Sequence, residues 1–406
     1  MDAPRRPRRP YAGRRVLLGV TGGIAAFKAI QLARDLTLAG AETEVVLTAG
    51  AQDFVRPLSF EALTGRAVHS SLYTPGEPLS HIRLAREADA VIVAPATANV
   101  IARAAAGMAD DLLTAILLAT EAPVLVCPAM NDRMYTHAQT RANLERLEAL
   151  GYHIAGPGVG PLAWGEGEGP GRLLDPPEIL EHTARLLEAP SLSGRRVVVT
   201  AGPTREAIDP VRYIGNRSSG RMGYALAASA WRRGAEVVLI SGPSSLPFPT
   251  GAQLQQVETA EQMCIAVRDA LPAADVLIMA AAVADYRPSQ PAGSKMKKQP
   301  GWAPALQLES TPDILDVTRD ARRPGGVVVG FALETDNALA NARRKLAGKQ
   351  LDLLIVNDAT EPGAGFEVAT NRVTLLAPDR EDETLPLLFK DEVAEHILDR
   401  VELLLG

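Results

Sequence analysis

The chain is 406 residues long, 47% hydrophobic and 22% charged, the balance of an ordinary globular protein with room for two or three domains of ~100–200 residues. A formal net charge of −6 gives no electrostatic case for a nucleic-acid partner, and no run approaches the ~18 uninterrupted apolar residues of a membrane span. The two cysteines, Cys127 and Cys264, supply neither a disulfide scaffold nor a zinc cluster, which fits a reducing cytoplasm.

Residues 1–14 (MDAPRRPRRPYAGR) are rich in Arg and Pro and lack the apolar stretch of a secretory signal; they read as a disordered basic tail. A first domain follows over 15–188. Continuous apolar runs at 16–20, 44–47, 90–94 and 124–127 have the composition of buried parallel strands. Helical stretches lie around 25–39, 107–119 and 140–149, and a closing helix at 177–188 follows a glycine-dense span at 156–173. Cys127 falls inside an apolar run and reads as a buried structural thiol. Residues 189–194 (APSLSG) have linker composition.

The second domain, 195–406, repeats the pattern. Strands are predicted at 197–200, 236–240, 276–280, 326–331 and 353–356, with helices at 220–233 and 335–348. An antiparallel pair at 372–376 and 383–388 precedes a last helix at 391–405. Near-identical text supports the repeat: GAETEVVLTAG at 40–50 against GAEVVLISG at 234–242, and ADAVIVAPATAN at 88–99 against ADVLIMAAAVAD at 274–285. Strands alternating with helices predict an α/β fold, two doubly wound Rossmann-like domains with mainly parallel sheets. Ligands in such sheets sit at the carboxyl ends of the strands, so the strand-end loops are the places for chemistry.

The first such loop, TGGIAAFK at 21–28, is not GxGxxG, which disfavours a nicotinamide-dependent oxidoreductase. Its pair Gly22 and Gly23 opens a helix, which serves either a phosphate or close packing. PATAN at 95–99 and PAMN at 128–131 add hydroxyl and amide groups at two further strand ends. In the second domain, AGPTREAIDPVRYIGNRSSGRMG at 201–223 joins Arg205, Arg212, Arg217 and Arg221 to a Ser-Ser-Gly helix start, a composition suited to an anion. Asp285 lies just past a strand end, and Lys295, Lys297 and Lys298 form a basic loop beside Gly293. Without GxxxxGK[ST] there is no P-loop.

GGIAAFK, PATAN, GMADDLL at 107–113, PAMN and the histidine of LSHIRLAREAD at 79–89 together resemble the flavin-dependent cysteine decarboxylases. From about Val16 onward the whole chain resembles the bifunctional phosphopantothenoylcysteine decarboxylase/phosphopantothenate–cysteine ligases of coenzyme A biosynthesis. That resemblance implies a flavodoxin-like first domain that binds FMN. Its flavin contacts would be Gly22, Gly23, Ile24, Thr48, Thr97, Asn99 and Met130. In that family's chemistry FMN would supply the oxidation of the substrate's cysteine side chain that lets CO2 leave, and the reduction that follows. His81 would act at the reacting end, an imidazole being suited to proton transfer near neutral pH, and Asn131 would hold the substrate carboxylate.

One departure concerns the glycine-rich flap. Relatives carry a proton-donating cysteine there, in a pattern like ACGxxGxGR, where this chain reads AWGEGEGPGR with Trp164 at that position. An indole N–H cannot supply that proton. Either another group protonates the product, the reading favoured by the intact motifs, or the chain is a ligase with a flavin-binding but impaired first domain.

For the second domain the resemblance implies ligation of 4′-phosphopantothenate to L-cysteine through an acyl-cytidylate made from CTP. Asn216 would hold that intermediate, Lys295 the triphosphate, and Arg212 the substrate's phosphate or carboxylate. The nucleotide contacts would be Met279, Ala280, Ala281, Asp285, Thr311, Pro312, Asp313, Ile314, Phe331, Lys345 and Lys349, with Mg2+ bridged by the phosphates. No nucleic acid or membrane partner is implied. Assembly would be homo-oligomeric, with trimeric flavin domains and dimeric ligase domains in a dodecamer.

Overall fold

The long apolar runs form the central strands of two sheets, because strands covered by helices on both faces need no polar side. The computed structural model describes residues 9–165, 167–297, 305–334, 338–358, 368–378 and 380–406. The chain divides into two units, 9–189 and 190–406.

In the first unit, β1 (Arg15–Val20), β2 (Glu42–Leu47), β3 (Val68–His69), β4 (Ala90–Ala96), β5 (Val124–Pro128) and β6 (His153–Ile154) form one parallel sheet in the order β3-β2-β1-β4-β5-β6. Without the two-residue β3, the five remaining strands run 2-1-3-4-5, the flavodoxin order. The unit's helices are α1 (Ala26–Leu38), α2 (Pro57–Thr64), α3 (Ser80–Glu87), α4 (Ala98–Ala105), α5 (Leu112–Ala119), α6 (Asp132–Thr136), α7 (Ala138–Ala149) and α8 (Pro176–Leu187). One core joins β1, β2 and β4 to α1 and α8; the other joins the opposite face to α3, α4, α5 and α7. The glycine-dense span is a hairpin, β7 (Gly158–Pro161) against β8 (Glu168–Arg172).

Three expectations need correction here. The helix expected over 107–119 starts at Leu112, because Asp111 and Thr114 close a capping box, and α4 was not expected at all. Residues 9–14 are not a loose tail: Tyr11 is buried against the first core and Arg14 pairs with Asp89. Residues 1–8 lie outside the described residues. Residues 190–194 are not a free linker either, since Leu192 is buried in the second core and its N–H donates to the Arg233 carbonyl at 2.8 Å.

The second unit contains β9 (Arg196–Ala201), β10 (Arg205–Ala207), β11 (Tyr213–Gly215), β12 (Glu236–Ser241), β13 (Gln253–Gln256), β14 (Val276–Met279), β15 (Tyr286–Pro288), β16 (Leu308–Ser310), β17 (Val327–Glu334), β18 (Leu353–Asp358), β19 (Thr370–Asn371), β20 (Val373–Leu376), β21 (Glu383–Thr384) and β22 (Leu388–Phe389). Its main sheet runs β13-β12-β9-β14-β17-β18-β20-β21, parallel through β18 and antiparallel beyond it. The helices are α9 (Arg221–Arg232), α10 (Ala260–Ala270), α11 (Ile314–Val317), α12 (Ala338–Gly348) and α13 (Lys390–Leu405). Residues 335–337, the start of the helix expected at 335–348, lie outside the described residues.

Helix α13 packs on α9 through Val393, Ile397, Leu398 and Val401, each contributing ~1.5–3 kcal/mol on burial. Beside them lies Arg233, fully buried, paired with Glu395 at 2.6 Å, Asp399 at 2.9 Å and Glu402 at 2.8 Å. The three acids recur at helical spacing and so present one face to that guanidinium. Among the described residues no helix is long and apolar enough to cross a membrane.

Candidate active sites

Each unit carries a cavity at the carboxyl ends of its parallel strands, where doubly wound sheets bind ligands. In the first unit the cavity measures about 900 Å³. Its walls are the 21–28 loop after β1, Thr48–Gly50 after β2, the start of α4 after β4, and Ala129–Asn131 after β5. The hairpin covers it through Pro161, Leu162, Ala163 and Gly171.

Hydrogen bonds fix these loops. Buried Thr21 donates through Oγ1 to the Pro95 carbonyl at 2.6 Å and accepts from the Thr97 N–H at 3.1 Å, locking the ends of β1 and β4 together. Thr48 and Thr97 cap the turns that follow them, accepting from Ala51 and Val100. A Cβ on Gly22 would lie 2.7 Å from the Gly50 backbone, so this glycine serves close packing of two strand-end loops. Asn131 accepts from the Arg133 N–H at 2.9 Å, which commits its amide oxygen and leaves the NH2 side for an anion. The start of α1 has no side-chain cap; its Ala26 and Lys28 N–H groups donate to the Gly23 and Ala25 carbonyls at 2.9 and 3.0 Å, which shapes the turn that faces the cavity.

Gly22, Gly23, Ile24, Thr48, Thr97, Asn99, Met130 and Asn131 all line this cavity. Apolar Ile24, Phe27, Met130, Met134 and Leu162 beside hydroxyl and amide groups suit a flat, partly polar ring system. His81 is not among the lining residues. It is the second residue of α3, and its Nδ1 is buried with no hydrogen-bond partner among the described residues. Trp164 does not line the cavity either; it stands fully exposed at the hairpin tip, 101% of its reference area.

Motif reading missed two cations. Lys28 lines the cavity and anchors the flap's base, its Nζ donating to Asp175 at 2.8 Å and to the Leu173 carbonyl at 3.0 Å. That hydrogen bond, with Arg172 beside it, holds the Asp175 carboxyl below its ordinary range. Arg103 reaches the cavity from α4 and pairs with Asp110 and Asp111 of GMADDLL. The Lys28 signal was present, a lysine one turn into a helix that starts at a strand end, but its carboxylate lies 147 residues away. Burial pushes the Cys127 thiol up, as suits a structural cysteine.

The second cavity measures about 540 Å³. Asn216, Met279, Ala280, Ala281, Asp285, Thr311, Pro312, Asp313, Ile314, Phe331, Lys345 and Lys349 all line it. Asn216 reaches it from the loop after β11 and donates through Nδ2 to the Val283 carbonyl at 2.9 Å and the Ala282 carbonyl at 3.3 Å. Thr311 Oγ1 donates to the Ala284 carbonyl at 2.5 Å, tying the TPDI turn to the loop after β14. From α12, Lys345 donates to the Phe331 carbonyl at 2.9 Å, and just past its end Lys349 pairs with Asp313 at 2.6 Å and with Asp316.

Lys295 and Arg212 do not line it. Arg212 is held by Asp209, and its NH2 donates to the Met296 carbonyl at 2.7 Å, so the Arg212 and Lys295 loops meet each other outside the cavity. The Arg212 hydrogen bond, then backbone N–H groups of Val211, Met296 and Arg212, hold the Asp209 carboxyl far below its usual range. Lys298 lies outside the described residues. Arg221 of the 201–223 motif also lines the cavity, as do Asn357, Asn371 and Lys390, which carry no motif. Among the described residues no three His, Cys, Asp or Glu side chains gather as a metal cage.

Two such cavities on two doubly wound sheets define a two-site α/β protein. A flavoprotein family model matches residues 4–188, and the model of the DNA/pantothenate metabolism flavoprotein C-terminal domain matches 192–404. The coenzyme A biosynthesis bifunctional protein CoaBC of Vibrio vulnificus is 44% identical over 398 residues, 97% of this chain and 99% of that protein. The CoaBC proteins of Escherichia coli, 45% identical over 395 residues, and of Bacillus subtilis, 46% over 395, each align with 96% of this chain and with 97% and 96% of their own lengths. The chain therefore belongs to the family of coenzyme A biosynthesis bifunctional proteins, and it is a bifunctional enzyme of that pathway.

Proposed function

We propose that this chain joins 4′-phosphopantothenate to L-cysteine in its second unit, at the expense of CTP, and decarboxylates the product in its first unit to give 4′-phosphopantetheine. The observation that carries this reading is the second cavity: its lining residues come from segments of the chain far apart in sequence, yet surround one space next to Asn216.

In the ligase step, an oxygen of the pantothenate carboxylate attacks the α-phosphorus of CTP and pyrophosphate departs. The cysteine amine then attacks the acyl carbon, and CMP leaves. The loop after β14 and the TPDI turn, tied together by Thr311, would hold the nucleoside, with Lys345 and Lys349 beside it. Asn216 would hold the acyl-cytidylate, and Asp285 would meet a magnesium ion carried by the phosphates. Lys295 and Arg212, paired loops outside the cavity, would act only on a substrate that extends beyond it.

In the first unit, Thr48, Thr97, Asn99, Met130 and the uncapped start of α1 would hold FMN, which when bound supplies the two-electron oxidation and reduction that make the carboxylate a leaving group. Asn131 turns its NH2 to the substrate carboxylate, and the hairpin excludes water. The product's proton comes from a group other than Trp164. His81, outside its own chain's cavity and with a buried Nδ1 awaiting a partner, supports assembly in which it serves a neighbouring copy's site. That assembly is a cytoplasmic homo-oligomer with trimeric flavin units and dimeric ligase units.

The test supplies phosphopantothenate and cysteine with CTP and follows CMP and pyrophosphate release. The reading requires one CMP per ligated cysteine and dependence on magnesium. Ligation that releases no CMP would overturn it.

A further inference from the structure

A buried carboxylate, Asp209, ties the loop that carries Lys295 to the turn at 208–212. The Ile208 N–H closes that turn by donating to the Arg212 carbonyl at 2.8 Å. Asp209 is 3% exposed, and its side chain 0%. A carboxylate persists in such a place only where donors replace the water it gives up.

Its two oxygens serve different partners. Oδ1 accepts from the backbone N–H groups of Val211 at 2.8 Å and Arg212 at 2.9 Å, which shapes the turn itself. Oδ2 accepts from Arg212 through Nε at 3.0 Å and through Nη2, and from the Met296 N–H at 3.1 Å, 87 residues along the chain. Arg212 Nη2 also donates to the Met296 carbonyl at 2.7 Å, so Met296 is gripped at both its N–H and its C=O. At the other end of the loop the Ala292 N–H donates to the Ile208 carbonyl at 2.9 Å, a second tie between the same two segments.

Gly293, Ser294 and Lys295 lie between these ties. Met296 is half-buried, whereas Lys295 and Lys297 on either side of it are exposed. Fixing the Met296 backbone therefore fixes where the Lys295 side chain starts. A lysine on a loop already held loses less freedom when it grips an anion than one on a loop that must first be ordered. The Arg212 hydrogen bond keeps Asp209 ionised far below its usual range, against the cost of burial, so the tie keeps its charge throughout the neutral range.

We propose that Asp209 is a positioning residue for the ligase reaction: through Arg212 and the Met296 backbone it holds the loop from which the Lys295 ammonium meets the phosphates of the nucleotide. The inference rests on the reading that Lys295 serves the triphosphate. Asp209 lies outside the lining of the second cavity, so its effect passes through the loop.

Asp209→Asn separates the two oxygens. Its Oδ1 can keep the turn, while its Nδ2 replaces Oδ2 and sets a donor against the Met296 N–H and the Arg212 guanidinium. In Asp209→Ser a short hydroxyl serves the turn without reaching Met296. The experiment compares full-length wild type, both Asp209 variants, Lys295→Gln and the double variant Asp209→Asn with Lys295→Gln. It follows pyrophosphate release from CTP with phosphopantothenate, and the binding of CTP and of CMP, which lacks the terminal phosphates. Each single variant should slow pyrophosphate release ~10-fold or more and weaken CTP but not CMP. The double variant should be slower than Lys295→Gln by no more than ~2-fold, because the two residues act through one loop. Wild-type release in either Asp209 variant, a full second loss in the double variant, or lost CMP binding in both Asp209 variants would overturn the positioning role. Wild-type release in Lys295→Gln would instead overturn the reading of Lys295, a separate result from that of any Asp209 variant.

Discussion

The Met130 N–H donates to the Gly171 carbonyl at 2.9 Å, and a Cβ on Gly171 would fall 2.1 Å from the Met130 carbonyl oxygen. This contact clamps the base of the flap hairpin onto the turn that carries Asn131. Gly171 also has φ +152, so a side chain there is excluded by both conformation and space. Gly171→Ala must push the hairpin away from the cavity. Decarboxylation should fall on the order of 100-fold, the cost of a misplaced wall, while ligation in the other unit is unaffected. Parallel assays of CO2 and pyrophosphate release check this; equal decarboxylation in the variant would mean the hairpin takes no part.

Trp164 leads to the opposite expectation. It is fully exposed at the hairpin tip. Trp164→Phe, which deletes the indole N–H, should leave decarboxylation at the wild-type rate and the stability within about 0.5 kcal/mol. A collapse of CO2 release in that variant would return the indole to the chemistry.

The Arg233 cluster sets the stability of the second unit. Replacing this fully buried guanidinium by Met removes the charge shared by Glu395, Asp399 and Glu402 and leaves Glu395 to Arg232 and Ser229, at about 3–5 kcal/mol. Thermal unfolding should show the transition of the second unit moving down, with the first unit's in place. A variant as stable as wild type would show that the cluster breaks even with an apolar core.

Acid should weaken the two units over different ranges. Burial pushes the Glu395 carboxyl upward, but Arg232, Arg233 and Ser229 outweigh it and hold it below its ordinary 4.5. Its contribution to stability is therefore complete above about 4.5 and is lost as pH falls through the lower folded value. In the first unit, burial and then the Arg185 charge push His182 from 6.5 down to about 4. The unfolded chain takes up that proton first, so stability is lost as pH falls from 6.5 toward 4. His182→Gln should flatten the melting temperature of the first unit across that interval; an unchanged slope would assign the loss to other groups.

The strands were legible because burial on both faces leaves uninterrupted apolar text, and nearly all residues singled out as flavin or nucleotide contacts do line a cavity. Helix α4 was hidden behind PATAN, which reads as a polar loop up to the residue that caps the helix, Thr97. The linker composition of APSLSG concealed one apolar plug, Leu192. His81, Arg212 and Lys295 carry motifs but sit outside the cavities of their own units, since a motif records chemistry and not which space the side chain enters. Asn371 and Lys390 had no motif at all. They meet Asn357 only through the registers of β18 with β20 and β19 with β22, which no local pattern encodes.

The two activities in one chain are tested most directly by giving the purified, FMN-loaded protein 4′-phosphopantothenate, L-cysteine and CTP and quantifying CMP and CO2 together. Equal amounts, with 4′-phosphopantetheine as end product, are predicted; Asn131→Ala should still release CMP while phosphopantothenoylcysteine accumulates. Accumulation of phosphopantothenoylcysteine without CO2 in the wild-type chain would contradict the two-site enzyme and leave a ligase alone.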